Sequence, residues 1–254
     1  MIDISILVPS VRTNNLKHVY ETISKNIGQY TFEMVVVSPF DIHSSKSTIG
    51  PNTKYIQDKG SPNRCMQLAG YISEGQLLMN CADDATFYGN GLEAAVSQYY
   101  DNEATRYDYV LAVQYTEDYR SRMDGYWLTQ THDDLRLPTI PKMVFSAVHL
   151  CKREFWERMG GYFCGYDNPN FSTIEFMLRA GNKNAKIELS EEPVYDVHWT
   201  QGDSELIRKP VHFSTLEHDI PLFRERAASG QIYELPRLDG WKDSPSVWKR
   251  RFPD

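Results

Sequence analysis

Short apolar runs alternate with helical repeats along the first two hundred residues of the chain. Four runs rich in Val, Ile, Leu, Met and Phe are typical of buried strands and lie at residues 4–9, 32–37, 77–81 and 108–114. Apolar residues recur at helical spacing from Leu16 to Ile27, and Ser61 followed by Pro62 predicts a helix start within 59–75. Strands and helices that alternate with short connections predict an α/β fold with a mostly parallel sheet flanked by helices.

The pattern becomes less regular after residue 115. Residues 115–141 combine charged, aromatic and hydroxylic side chains without a period, which favours a functional loop over a structural connection. Beyond this loop, the sequence predicts a strand at 142–150, helices at 153–159 and 172–180, and two last strands at 187–189 and 194–199. Ser214 with Glu217 forms a capping-box pattern for a helix that reaches about residue 229, and the final 25 residues predict an arm packed on the body.

Composition and charge narrow the class of protein. The 254 residues are 41% hydrophobic and carry a formal net charge of -7, which predicts one soluble domain with a C-terminal extension and argues against nucleic-acid binding. The four cysteines form no Cys-x-x-Cys pair, so we expect neither a zinc site nor disulfides but a reducing, cytoplasmic location. The N-terminus shows no signal-peptide pattern, and no apolar run approaches the roughly 20 residues that span a bilayer. The basic cluster 249–251 leaves a peripheral contact with anionic lipid as the alternative to a docked tail.

Two adjacent carboxylates follow the apolar run at 77–81. Asp83 and Asp84 come at the end of the predicted strand, and in open α/β sheets ligands bind at the carboxyl ends of strands. Paired carboxylate oxygens at such a position suit Mg²⁺ or Mn²⁺ that bridges to a diphosphate. The alternative is that Asp83 and Asp84 only end the strand and cap the next turn.

Four segments occur in an order and at separations that match one known family. They are ISILVPSVR at 4–12, FEMVVVSPFD at 32–41, GSPNRCMQLAGYISEGQLLMNCADD at 60–84 and CKREFWERMGGYF at 151–163. These segments resemble the family 2-like glycosyltransferases of the GT-A fold. The resemblance covers about residues 1–200 and implies a Rossmann-like domain with a nucleotide-binding half at about 1–115 and an acceptor-side half at about 116–200. Residues 201–254 would form a helix and an arm packed on this domain.

The resemblance implies a metal-dependent, inverting transfer of a sugar from a nucleoside-diphosphate sugar to a hydroxyl acceptor, such as a glycan or glycoconjugate. It implies that Asp84 binds Mn²⁺ or Mg²⁺ and that His198 completes the metal shell, with a core position as the alternative for His198. The residues expected at the nucleotide are Pro9, Ser10, Arg12, Asp41, Arg64 and Asp83. For Arg64, near the predicted start of a helix, the alternative is an exposed ion pair. Trp127 is either a stacking platform for a sugar ring or a packing anchor.

The family motif that carries the general base departs from its usual form in this chain. Ser172 and Thr173 stand where the leading acids of a Glu-Asp-x-Asp motif are expected, while Glu175 matches the end of that motif. Two acids compete for the role of base. Glu175 follows Ser172 in a capping-box pattern, and a capped carboxylate is a weak base. Asp167, in the loop before this helix, has no comparable structural duty, so we predict Asp167 as the base and Glu175 as second choice.

Two other functions stay open. A GT-A-like binding module without catalysis is favoured by the missing acids at 172–173 and opposed by the retained Asp83 and Asp84. A sugar nucleotidyltransferase shares the sheet and the acidic metal site but usually has a Gly-rich phosphate loop after the first strand. The turn SVRTNN at 10–15 contains no glycine, which disfavours this function.

Overall fold

The computed structural model describes residues 1–41, 49–103, 108–117, 146–198 and 209–253. The strands are β1 (Ile4–Pro9), β2 (Phe32–Ser38), β3 (Thr53–Gln57), β4 (Leu77–Asn80), β5 (Ala85–Phe87), β6 (Tyr109–Glu117), β7 (His149–Lys152) and β8 (Lys186–Val197). The helices are α1 (Leu16–Asn26), α2 (Pro62–Ile72), α3 (Gly91–Glu103), α4 (Arg153–Arg158), α5 (Pro169–Asn182), α6 (Lys209–Ser214) and α7 (Ile220–Ser229). None of these helices is long and apolar enough to cross a membrane.

The eight strands form one mixed sheet in the order β3-β2-β1-β4-β7-β6-β8-β5. β1 pairs in parallel with β2 and with β4, so Ile4 lies opposite Phe32 on one side and Leu77 on the other. The pairs β2-β3 and β6-β8 are also parallel, whereas β7 is antiparallel to β4 and β6, and β5 is antiparallel to β8. The predicted α/β fold with a mostly parallel sheet is confirmed.

Both faces of the sheet are covered, which explains the continuous apolar runs. Successive residues of a strand point to opposite faces, and in β1 Ile6 and Val8 pack in one core while Leu7 packs in the other. The first core includes Val19 from α1, and the second includes Met66 from α2. A strand that is buried on both faces does not need alternating polar residues.

The last two strands predicted at 187–189 and 194–199 are wrong as separate elements, because β8 runs unbroken from Lys186 to Val197. The register between β6 and β8 shifts on both sides of Gln114. There the Ser190 hydroxyl accepts a hydrogen bond from the Gln114 N–H at 2.9 Å and donates one to the Glu192 carbonyl at 2.9 Å. This side chain replaces a ladder contact, so the polar residues 190–192 stay within the strand.

The loop predicted at 115–141 falls mostly beyond what the structure describes. Its first residues belong to β6, which continues to Glu117, and the rest of the loop, including Trp127, lies outside the described residues. Of the strand predicted at 142–150, the end is found as β7, and residues 142–145 also lie outside the described part of the chain.

The C-terminal helix does not start at the capping box predicted at Ser214 and Glu217. Ser214 has helical backbone angles and lies within a helical segment that is continuous from Lys209 to Ser229. A π-helical turn, Thr215–Asp219, comes just before Pro221, whose ring and missing N–H do not fit a regular helix interior. The wider turn lets the helix pass the proline, and the Ser214 hydroxyl donates a hydrogen bond to Asp167 instead.

Residues 231–253, here named the C-terminal arm, pack back on the start of α2. The Trp248 N–H donates to the Lys59 carbonyl at 2.8 Å, and the Arg64 guanidinium donates to the carbonyls of Trp241 and Ser244. The Trp248 residue is only 7% exposed. The arm is therefore docked by hydrogen bonds to its backbone and by a buried aromatic ring.

His149 on β7 is a fully buried histidine between aromatic rings. Its ring stacks on Phe176 with the centroids 4.8 Å apart and an interplanar angle of 12°, and its Nε2 lies 3.2 Å from the Tyr162 hydroxyl. Burial lowers the pKa of His149 from 6.5 to about 3. The folded protein therefore keeps this imidazole neutral, whereas the unfolded chain protonates it as the pH falls through about 6.5.

We expect His149 to make the stability of the protein sensitive to acid. Between pH 7 and pH 5 the unfolded state binds a proton that the folded state does not, which lowers the free energy of unfolding by about 2 kcal/mol. His149→Phe removes this contribution, so urea unfolding at pH 7 and at pH 5 should differ less than in the natural chain. His18→Gln, at an exposed position on α1, is the control. An unchanged pH dependence in His149→Phe would contradict the expectation.

Candidate functional site

A cavity of about 710 Å³, here named the main cavity, opens where the carboxyl ends of β1, β2 and β4 meet at one edge of the sheet. Five of the predicted site residues line it, namely Pro9, Ser10, Arg12, Asp83 and Asp84. Other parts of its lining come from the end of β6, from the segment 209–215 and from the C-terminal arm. Its position at the strand ends and its volume are typical of ligand sites in α/β proteins.

Asp83 fixes the turn that follows β1. Its Oδ2 accepts hydrogen bonds from the N–H groups of Val11 at 2.9 Å and Arg12 at 2.8 Å, and from the Ser10 hydroxyl at 3.1 Å. A buried carboxylate with three donors holds the turn in one shape, because moving the turn would break charge-assisted hydrogen bonds. Asp83 therefore shapes the turn after β1 rather than the turn after its own strand, which the alternative names, and the turn after β1 lines the main cavity.

Arg12 lies between the two carboxylates of the acidic pair. Its Nη1 is 2.7 Å from Asp83 Oδ1 and 2.6 Å from Asp84 Oδ2. The three side chains are largely buried, with exposed fractions of 15%, 9% and 14%. One guanidinium against two carboxylates leaves a formal charge of −1 in this group. The first turn of the resembling family carries Tyr-Asn where this chain has Val11-Arg12, and this departure places a cation at the acidic strand end.

The two residues of the predicted metal site, Asp84 and His198, are neighbours, because the His198 N–H donates a hydrogen bond to the Asp84 carbonyl at 3.4 Å, and the metal site stays a prediction. His198 Nε2 lies 3.1 Å from the Thr86 hydroxyl, and His198 is not part of the lining of the main cavity. Asp84 is engaged by Arg12. Across the described residues, the one group of at least three His, Cys, Asp and Glu side chains close enough to bind a metal ion together consists of Asp167, His218 and Asp219, away from the acidic pair. Arg12 Nη1 lies between the Asp83 and Asp84 carboxylates in this arrangement, so a divalent ion bound at the acidic pair would require Arg12 to move.

Arg64 lies where predicted, in the first turn of α2, and the Ser61 side chain caps this helix by accepting a hydrogen bond from the Arg64 N–H at 3.2 Å. Its guanidinium is directed elsewhere than the main cavity: Nη2 is 2.8 Å from Asp58 Oδ2, and Nη1 donates to the Ser244 carbonyl at 2.8 Å. The Arg64 side chain is 6% exposed, so the alternative of an exposed ion pair is wrong. Arg64 anchors the C-terminal arm.

Asp41, the remaining nucleotide candidate, is exposed and does not line the main cavity.

The capping box predicted from Ser172 and Glu175 is wrong. Helix α5 begins three residues before Ser172, at Pro169, and its cap is Asn168, whose side chain accepts a hydrogen bond from the Asn170 N–H at 3.0 Å. Glu175 therefore lies in the interior of the helix. The strong helix-start signal is the pair Asn168-Pro169, which the predicted boundary at 172 leaves out.

Glu175 is instead the centre of a buried charge cluster. Its carboxylate pairs with Arg179 at 2.8 Å and with Arg226 of α7 at 3.0 Å, and it accepts a hydrogen bond from the Tyr166 hydroxyl at 2.7 Å. The Glu175 and Arg179 side chains have no exposed surface. A carboxylate with these partners and no contact with the main cavity is a structural group, and the arrangement does not support Glu175 as the base.

Asp167, the first choice for the base, borders a second cavity of about 500 Å³ beside the C-terminal arm rather than the main cavity. Its Oδ2 accepts a hydrogen bond from the Ser214 hydroxyl at 2.5 Å. The N–H groups of Asp167 and Asn168 donate to Asp219 at 3.0 and 2.8 Å, and burial raises the pKa of Asp219. These bonds tie the loop before α5 to the C-terminal helix, so Asp167 has a structural duty that the sequence does not reveal.

The main cavity also contains charged side chains that sequence reasoning does not predict. They are Glu117 at the end of β6, Lys209 at the start of α6 and Arg251 in the C-terminal arm. Each is far from the acidic pair in sequence. The basic cluster 249–251 is visible as a charge signal, but a charge signal does not tell where the tail docks.

The eight-stranded sheet with helices on both faces is a Rossmann-like α/β fold of the GT-A type, as the sequence predicts, and the main cavity lies at the carboxyl ends of its strands. Solved structures of S. aureus TarS, residues 1–349, share it. The complex with UDP-GlcNAc gives a TM-score of 0.55 at 15% identity, over 91% of this chain and 70% of that chain. The complex with UDP gives 0.53 at 15% identity over 91% and 70%, and TarS 1–349 alone gives 0.51 at 13% identity over 91% and 69%. No protein-family model and no curated protein matches the sequence. The likeness to the TarS structures establishes the fold alone.

Proposed function

We propose that the protein is a glycosyltransferase that takes a sugar from a nucleoside-diphosphate sugar in the main cavity and transfers it to a hydroxyl acceptor on a glycan or glycoconjugate. The observation that carries the proposal is the polar turn after β1, fixed by Asp83 beside a buried cation at the carboxyl ends of parallel strands. The fold shared with TarS, crystallised with UDP and UDP-GlcNAc, supports a uridine diphosphate sugar as the first donor to test.

The lining offers a different contact to each part of such a donor. Pro9, Val37 and Pro39 line the main cavity at the ends of β1 and β2 and provide an apolar wall for the nucleotide base. Arg12 provides a guanidinium suited to phosphate oxygens. The Ser10 hydroxyl is within the same turn, so base, ribose and diphosphate contacts would follow one another along a rigid element.

Direct attack of the acceptor hydroxyl on the donor sugar needs one base and inverts the configuration of the sugar. Among the described residues of the main cavity, Glu117 is the one aspartate or glutamate outside the acidic pair. Asp167 borders the second cavity, and Glu175 is enclosed in its charge cluster. In this proposal Glu117 therefore replaces Asp167 as the proton acceptor.

A module that binds the nucleotide sugar without turnover is the second candidate. It is favoured by the positions of Ser172 and Thr173, which stand where the resembling family has its leading acids. Ser172 donates a hydrogen bond to the Asn63 side chain at 2.5 Å, and Thr173 donates one to the Asn170 carbonyl at 2.9 Å. Both hydroxyls therefore have structural roles, and neither can act as a carboxylate base.

Calorimetry with UDP and a turnover assay with UDP-GlcNAc separate these possibilities. The transferase proposal expects the protein to bind UDP and to release UDP from a UDP-sugar. Binding without turnover of any UDP-sugar would favour the module. If neither UDP nor another nucleoside diphosphate binds, both candidates are excluded.

The same calorimetry tests the predicted metal requirement when it is repeated with EDTA and with Mn²⁺. Because Arg12 holds the acidic pair, we expect UDP binding to persist in EDTA. Binding that occurs only with Mn²⁺ would instead support a metal ion at Asp84 and a displaced Arg12.

A further inference from the structure

The C-terminal arm carries a cation into the wall of the main cavity. Trp248, in the arm itself, is buried, and the Arg251 guanidinium lies over its ring, 4.9 Å from the ring centroid. A tight turn holds the two together, because the Arg251 N–H donates to the Trp248 carbonyl at 3.0 Å. Arg251 lines the main cavity together with Arg12 and Asp83. The aromatic ring thus orients the guanidinium by a cation–π contact.

The arm is fixed in place by the helix that borders the same cavity. Arg64, held by Asp58 at 2.8 Å, donates to the Ser244 carbonyl at 2.8 Å, and the Gln67 side chain donates to the Leu238 carbonyl at 2.7 Å. Both donors lie on α2, whose first turn lines the main cavity. These contacts to the arm's backbone, together with the buried Trp248 ring, hold the arm against α2.

The charges that line the main cavity indicate that a diphosphate needs a further cation besides Arg12. In the described residues, three carboxylates, Asp83, Asp84 and Glu117, face three cationic side chains, Arg12, Lys209 and Arg251. A diphosphate adds at least two negative charges, while Arg12 is already shared by two carboxylates. Burial lowers the pKa of Arg251, and the charge of Arg12 lowers it further, while the charges of Asp83 and Cys65 oppose this shift.

We propose that Arg251 binds the diphosphate of the donor, so that the C-terminal arm is a built part of the donor site. This inference rests on the proposed function, because it assigns a role to Arg251 in binding the same donor. A guanidinium that is mostly buried, oriented by Trp248 and close to Arg12 binds phosphate oxygens at little cost in side-chain entropy.

The test compares Arg251→Gln with its neighbour Arg250→Gln in the full chain. Arg250 pairs with Glu217 at 2.9 Å and does not line the main cavity, so it is a matched control. Calorimetry is run with UDP and with uridine, which lacks the phosphates. We expect Arg251→Gln to weaken UDP binding about 10- to 100-fold and to leave uridine binding unchanged. Arg250→Gln should behave as the natural chain with both ligands.

The outcomes distinguish a failure of the proposed function from a failure of the role assigned to Arg251. If the natural chain binds no UDP, the proposed function fails together with this inference. If it binds UDP and Arg251→Gln binds equally well, only the role of Arg251 is overturned. An equal loss of uridine and UDP affinity would show that Arg251 contacts the nucleoside, which also overturns the role. Should Arg251→Gln lower the melting temperature, Arg251→Lys keeps the charge and is expected to bind UDP with intermediate affinity.

Discussion

Replacing Asp83 with alanine is expected to lower the affinity for UDP by about 100-fold or more and to abolish donor turnover. The carboxylate is the common acceptor for the Ser10 hydroxyl, the Val11 N–H, and the backbone and guanidinium of Arg12. Removing one partner of a buried charged group costs about 2–5 kcal/mol, and about 1.4 kcal/mol corresponds to a factor of ten in affinity. Without Asp83 the turn has no fixed shape for a diphosphate to bind.

Two variants control for folding and for charge. Asp101→Ala removes an exposed carboxylate from α3 and should leave UDP affinity and melting temperature unchanged. Asp83→Asn keeps the shape of the side chain but not its charge, so its UDP affinity should fall between those of Asp83→Ala and the natural chain. Unchanged UDP affinity in a folded Asp83→Ala protein would show that the turn after β1 does not belong to the donor site.

The largest loss of stability is expected from Glu175→Gln. Two guanidinium groups, from Arg179 and Arg226, share this one carboxylate in the core. Burial lowers the pKa of Arg179 to about 10, and the charge of Glu175 opposes this shift. When the carboxylate becomes an amide, both cations lose their buried partner, which costs about 3–5 kcal/mol. Urea unfolding at neutral pH measures the change directly.

Glu157→Gln is the matched control for this substitution. Glu157 also pairs with an arginine one helical turn away, Arg153 at 3.0 Å, but both side chains are about 40% exposed. An exposed pair of this kind contributes about 0.3–0.5 kcal/mol, so Glu157→Gln should change the free energy of unfolding very little. A loss of less than 1 kcal/mol in Glu175→Gln would contradict a structural role for the cluster.

The elements that the sequence predicts well have their signal within one short segment of the chain. The apolar runs that become β1, β2 and β4 can be identified because both faces of each strand are buried. The start of α2 is predicted correctly because Ser61 and Pro62 are a local capping signal. These elements suffice to place Ser10, Arg12, Asp83 and Asp84 at one edge of the sheet.

What the sequence cannot predict depends on partners that are distant along the chain. The helix start places Arg64 correctly, but the direction of its side chain is set by Ser244 in the C-terminal arm. Glu175 has a local pattern that suggests a cap, while its role is set by Arg226 of α7. Arg251 comes to the main cavity only because the arm folds back on α2. In each case a tertiary contact outweighs the local signal.

A crystal structure of the protein soaked with UDP tests the central claim most directly. We predict that the diphosphate lies in the main cavity, against the turn after β1, with its oxygens in contact with Arg12. UDP bound in the second cavity beside Asp167, or a well-ordered main cavity that holds only solvent at saturating UDP, would contradict the claim.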